Sequence, residues 1–109
     1  MELKHLTKVW NCSEQYPPDE DTTVILRVGT KKNVGKVTDE KDKFKISPIG
    51  NYLCVKPLDN NKLLPKYLYY SLQHVYNQGY WQRHSYGTSD RNLIRVGDVR
   101  GIQVGIGDE

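Results

Sequence analysis

Cysteine, phenylalanine and methionine are scarce in this chain, with two Cys, one Phe and one Met in 109 residues. Two cysteines are too few for a disulfide-built scaffold, and in a reducing compartment Cys12 and Cys54 are expected as free thiols, Cys54 inside an apolar strand as core. No apolar run approaches the roughly 20 residues of a bilayer-spanning helix. The opening residues Met1 to Leu6 lack the basic region and apolar stretch of a secretory signal, so the expectation is a cytoplasmic protein with no membrane partner.

The chemistry of many enzymes is missing as well. His5, His74 and His84 are far apart, and neither cysteine has a second Cys or His at a zinc-ligand interval, so no metal and no cofactor is expected. There is no Gly-x-Ser-x-Gly elbow and no phosphate-binding Gly-x4-Gly-Lys-Ser/Thr loop. One enzyme-like pattern exists: Pro18-Asp19 followed by Asp39-Glu40-Lys41 loosely fits nucleases in which carboxylates hold a divalent cation and a lysine assists water. That chemistry needs a rigid strand, whereas 38–43 reads as a solvated turn, and the carboxylates are assigned to the turn. Tyr16-Pro17-Pro18 is likewise read as an ordinary turn and not as a methyltransferase loop.

A strong charge of one sign is absent too. The formal net charge of +3 permits a polyanionic partner without requiring one. Its placement is more informative: Asp19 to Asp21 and Asp39-Glu40 cluster the acids, while Lys31, Lys32, Lys36, Arg83, Arg91, Arg95 and Arg100 fall in or near turns and a strand edge.

What the chain does have is pattern. The length suits one small domain with one core. Leu3 to Trp10 alternates loosely as a short strand, and Tyr16 to Asp21 is a turn by its prolines and acids. Thr22 to Val28 is β-branched and nearly continuously apolar, which predicts a central strand. A loop over Gly29 to Gly35, a returning strand over Val34 to Thr38, and short strands over Phe44 to Ser47 and Asn51 to Val55 follow, with Pro57 as terminator. From Pro65 the period becomes 3.6: Leu64, Leu68, Leu72, Val75 and Tyr76 share a helical face, Pro65 suits the first helical position, and Gly79 marks an end or a weak point before His84. Leu93 to Val96 and Gly101 to Ile106 resume alternation around a Gly97-Asp98 turn.

Two segments carry residue types that bind nucleic acid. The loop after the first strong strand holds Lys31, Lys32, Asn33 and Lys36, which at a turn tip can reach phosphates, with Asn33 suited to an adenine edge or to the turn itself. Trp81 to Tyr86 mixes aromatic, amide and cation before Gly87-Thr88-Ser89-Asp90. Gln82 and Arg83 are types able to bond base edges in pairs, and His84 adds a donor. Tyr67, Tyr69, Tyr70, Tyr76, Tyr80 and Trp81 would make a stacking platform only on one face, and helical spacing disperses them, so most are assigned to packing with hydroxyls at the rim.

In order, Leu26-Arg-Val-Gly-Thr30 with Gly35-Lys36, Ile46 to Pro57, Leu64 to Leu72, and Gly87-Thr-Ser with Asn92-Leu-Ile and Asp98 to Val104 make the chain resemble the target-recognition domain of type I restriction-modification specificity subunits. The resemblance is strongest over 24–104. It implies a mixed α/β domain that binds double-stranded DNA and gives specificity to a separate DNA methyltransferase or restriction subunit. Family members carry two such domains separated by long helices; this chain has one, without coiled-coil heptads, and closes on Gly105 to Glu109 in place of a proline-rich end.

The expectation is therefore a single α+β domain over 1–109, a twisted and mostly antiparallel sheet with one principal helix, acting as a non-catalytic DNA-binding module with a homodimer as one option for its assembly. Lys31, Lys32 and Lys36 would contact phosphates. Arg83, His84, Thr88, Ser89 and Arg91 would face the groove, with Gln82 and Asn92 as candidate base readers and Asn33 available to DNA or to the turn. The competing expectation is a protein-interaction module that modulates a DNA-acting complex without touching DNA.

Overall fold

The computed structural model describes residues 2–39, 48–88 and 90–103. The strand expected over Phe44 to Ser47 lies outside them, as do Glu40, Lys41, Ser89 and the closing 104–109. After a 3-10 turn at Leu3–His5 the chain forms β1 (Thr7–Asn11), β2 (Thr23–Leu26), β3 (Val28–Gly29), β4 (Val37–Thr38) and β5 (Tyr52–Pro57). It continues through α1 (Pro65–Asn77), α2 (Tyr80–His84), β6 (Tyr86–Gly87), β7 (Asn92–Leu93) and α3 (Val96–Arg100). Helices and antiparallel sheets are mixed, which makes the fold α+β as the sequence pattern predicts.

The strands form two sheets, ordered β1-β5-β2-β4 and β3-β7-β6. The β-branched run from Thr23 lies where continuous apolarity belongs, between β5 and β4, with Val24 and Ile25 fully buried. It is shorter than the predicted 22–28. At Arg27 the chain leaves the first sheet: the Arg27 amide donates to the Asn51 carbonyl at 2.6 Å, while its own carbonyl accepts from Ile94 at 3.0 Å. Arg27 thus joins the two sheets, and Val28 and Gly29 belong to the second.

Residue alternation along β1, β2 and β5 divides the core. Val9, Ile25, Leu53 and Val55 face the main cluster, where Leu68 and Leu72 of α1 enter fully buried. Truncating either leucine would cost about 2–5 kcal/mol. Pro65 occupies the first turn of α1, as expected for a residue without an amide hydrogen. Leu64, placed by periodicity on the buried face, precedes that turn and is 64% exposed. Gly79 adopts a left-handed φ of 76° and separates α1 from α2.

Across the sheet, Trp10, Val24 and Cys54 occupy adjacent strands and form a second, smaller cluster with Cys12. Here the free-thiol expectation fails: Cys12 and Cys54 form a disulfide, with Cα atoms 5.6 Å apart. Their 42-residue separation hides the pairing in the sequence. The antiparallel register brings Asn11 opposite Leu53, and Cys12 follows directly beside the strand.

The closing segment also differs from its prediction. Val96–Arg100 is a helix and not a turn between strands, because the Asp98 carboxylate accepts the Arg95 amide at 2.8 Å and so satisfies its first turn. After it, Gln103 makes a single antiparallel bridge to Glu2.

Candidate nucleic-acid interface

The basic loop is a compact turn. Amides of Asn33 and Val34 both donate to the Thr30 carbonyl, at 3.0 and 2.9 Å, and the Lys36 amide donates to Asn33 at 3.0 Å. Two side chains from distant sequence hold it. The Tyr76 hydroxyl donates to the Lys32 carbonyl at 2.8 Å, and Gly35, at φ 86°, lies against the indole of Trp81. A Cβ on Gly35 would fall 1.8 Å from Trp81 Cδ1, so only glycine permits this approach. Trp81 is 2% exposed and belongs to the core, while Tyr67 and Tyr70 remain exposed on α1. The aromatic residues therefore disperse as helical spacing predicts.

Lys31, Lys32, Asn33 and Lys36 are all exposed. Among the described residues the ion pairs join Lys4 to Glu2 and Lys56 to Asp19, so no described carboxylate neutralises the three loop lysines. Gln82, Arg83 and His84 project from α2, whose Trp81 seals the loop. Arg83 also donates to the Gln78 carbonyl at 3.1 Å, placing a cation at the carbonyl end of α1. His84 packs its ring 4.3 Å from that of Tyr80.

Thr88 and Arg91 sit at the tip of the β6–β7 hairpin, closed by the Thr88 amide donating to Arg91 at 3.1 Å. Gly29 pairs with Asn92, so in the antiparallel register both the loop after Gly29 and the tip before Asn92 leave the second sheet at the same end. The fold thus seats the loop against α2 through Trp81 and sets it at the same sheet end as the hairpin tip.

Asn92 departs from this group. It is 2% exposed, its carbonyl oxygen accepts the Ser85 hydroxyl at 3.0 Å, and its amide donates to the Thr88 carbonyl. Both ends of its side chain serve the hairpin, which removes it from the base-reading candidates. Sequence reasoning missed Tyr86 as an exposed feature. Its ring carries the Arg95 guanidinium at 4.8 Å and its hydroxyl lies 3.3 Å from Asp98. The signal was present in an aromatic residue directly before a Gly turn.

Asp19 and Asp39, the described carboxylates of the nuclease-like pattern, have structural partners. Asp39 accepts the Tyr69 hydroxyl at 2.6 Å, and this bond is the first cause that raises the phenol above its ordinary range. Partial burial pushes the Asp19 carboxyl upward, yet bonds from Lys56, Thr22 and the Asp21 amide outweigh it and hold the carboxyl below its usual value. The same bond to Asp19 raises Lys56. Among the described residues no three His, Cys, Asp or Glu side chains gather as a metal site. No helix among them is long and apolar enough to cross a membrane.

No family model and no curated protein matches this chain. Among solved structures, it is similar to the S subunit of a type I restriction-modification system from M. genitalium, with a TM-score of 0.66 and 14% sequence identity. The similarity covers 94% of this chain and 32% of that subunit, so the chain spans about a third of its length. At this identity the likeness is one of fold: the chain folds as part of a type I restriction-modification S subunit does.

Proposed function

We propose that this chain is a non-catalytic module that recognises double-stranded DNA. The observation that carries the reading is that the exposed lysine loop packs on α2 through the Gly35–Trp81 contact and, through the Gly29–Asn92 pairing, leaves the second sheet at the same end as the β6–β7 tip. The fold-level likeness to a restriction-modification S subunit supports it. Lys31, Lys32 and Lys36 contact phosphates, and Asn33, Gln82, Arg83, His84, Thr88 and Arg91 face the groove. A DNA methyltransferase or restriction subunit is the partner class in this reading, and a second copy of the chain would supply a second half-site.

A fluorescence-anisotropy titration of a mixed-sequence duplex tests it. Three lysine–phosphate contacts predict a logarithmic salt slope near –2.7, or roughly a 40-fold affinity loss for a fourfold rise in salt. Lys31→Glu with Lys32→Glu should leave about a third of that slope. Affinity that ignores salt, or a double variant that binds as well as the parent, overturns the assignment. Capture of a protein partner with no duplex shift at any salt moves the chain to the interaction-module reading.

A further inference from the structure

The sheet face opposite α1 is covered unevenly, and its open part is a cleft of about 890 Å³ at the β1–β5 edge. That size lies within the range of roughly 300–1,000 Å³ typical of ligand sites. Lys8 and Trp10 project onto it from β1, Lys56 from β5, and the 13–19 loop folds over one side. The indole N–H of Trp10 donates to the Tyr16 carbonyl at 2.9 Å, which fixes the ring and leaves its surface, not its donor, for a ligand. Tyr16 is 60% exposed and Leu58 62%, and with Pro17 and Pro57 they give the cleft an aromatic and pyrrolidine lining.

Charge narrows the choice of occupant. The register sets Lys8 directly opposite Lys56, two like charges on one sheet face. Asp19 offsets Lys56 alone. Lys8 has no described carboxylate and instead lies 5.6 Å from the Trp10 ring centroid. The cleft therefore carries one uncompensated cation beside apolar rings, with an ionised Asp19 in its wall. A single external carboxylate complements that arrangement, whereas a chain of phosphates would meet Asp19.

We propose that this cleft docks an extended, proline-containing segment of a partner protein bearing one acidic residue, its pyrrolidine rings on Trp10 and Tyr16 and its carboxylate on Lys8. Polyproline segments are preformed, lose little entropy on binding, and are recognised in aromatic-lined grooves. The exposed amides of Asn11 and Gln15 in the lining supply donors for peptide carbonyls. β1 and β4 are opposite edges of the four-stranded sheet, so the docked segment and the lysine loop preceding β4 occupy separate sides of the domain.

The cleft reports on itself, because Trp10 is partly exposed whereas Trp81 is buried. A synthetic hexapeptide of five prolines and one glutamate should change tryptophan emission saturably. Lys8→Glu, checked for an unchanged circular dichroism spectrum, should weaken that binding at least about tenfold. Lys31→Glu with Lys32→Glu should leave it intact, which separates this site from the DNA reading. No saturation up to about 1 mM peptide, equal binding by Lys8→Glu, or oligothymidylate that displaces the peptide from the variant carrying Lys31→Glu and Lys32→Glu overturns the proposal.

Discussion

Replacing Gly35 by alanine tests how the basic loop is held. The backbone there has φ 86°, a left-handed conformation that costs a side-chain-bearing residue about 1–2 kcal/mol. The added Cβ would also stand 1.8 Å from an atom of the Trp81 ring, which is itself 2% exposed and has no room to retreat without disturbing Leu-rich core. Overpacking of that kind adds about 1–3 kcal/mol. The sum, about 2–5 kcal/mol, is a large part of the roughly 5–15 kcal/mol that stabilises a domain of this size. Urea unfolding followed by tryptophan emission measures it directly. Gly50→Ala is the control, since a Cβ there meets nothing within 4 Å, and its unfolding free energy should change by less than about 0.5 kcal/mol. Gly35→Asn tolerates the left-handed backbone but still drives a Cβ into the indole, so it should recover only the backbone share, about 1 kcal/mol. If Gly35→Ala unfolds within about 0.5 kcal/mol of the parent, the loop is not clamped by Trp81 and its lysines are not positioned as described.

Asn92→Ala should destabilise the fold by about 1–3 kcal/mol, because two half-buried hydrogen bonds, from the Ser85 hydroxyl and to the Thr88 carbonyl, are lost together; duplex affinity of the folded fraction should not change, and a selective loss of affinity would restore Asn92 as a base reader. Reduction, or Cys12→Ser, should lower stability by about 2–4 kcal/mol by freeing the loop between the cysteines, and a thermal midpoint indifferent to dithiothreitol would show that the bond does not form in solution. Asp19 has a lowered folded-state pKa, so its contribution is fully present above the ordinary carboxylate value of 3.8 and is lost as pH falls through the lower folded value. Acid unfolding of Asp19→Asn should lack that component, and identical pH profiles for variant and parent would contradict the Lys56 pairing.

Much of the architecture was legible because it is local. The β-branched run at Thr23, the proline that starts α1, and the Gly79 break each act through backbone preferences within a few residues. The lysine loop was legible as a turn for the same reason. Other features were not, since their cause lies elsewhere in the chain. Asn92 reads as an exposed amide until β7 pairs with β3 and β6 on its two sides. Asp39 reads as a free carboxylate until Tyr69 of α1 reaches it. Arg27 reads as one more strand residue until Ile94 and Asn51 take its backbone groups in different directions.

By itself, the sequence determined the β-branched strand at Thr23, the strand that ends at Pro57, helix α1 with its apolar face, and where cations concentrate, because periodicity and turn chemistry act over short separations. Only the tertiary structure decided that Cys12 meets Cys54, that Gly35 must be glycine for Trp81, and that the lysine loop and the β6–β7 tip leave the second sheet at one end. Those outcomes depend on strand register and on contacts between residues some 40 or more positions apart, the cysteine pair among them. No local propensity encodes such contacts; they exist only once the sheets close over a common core.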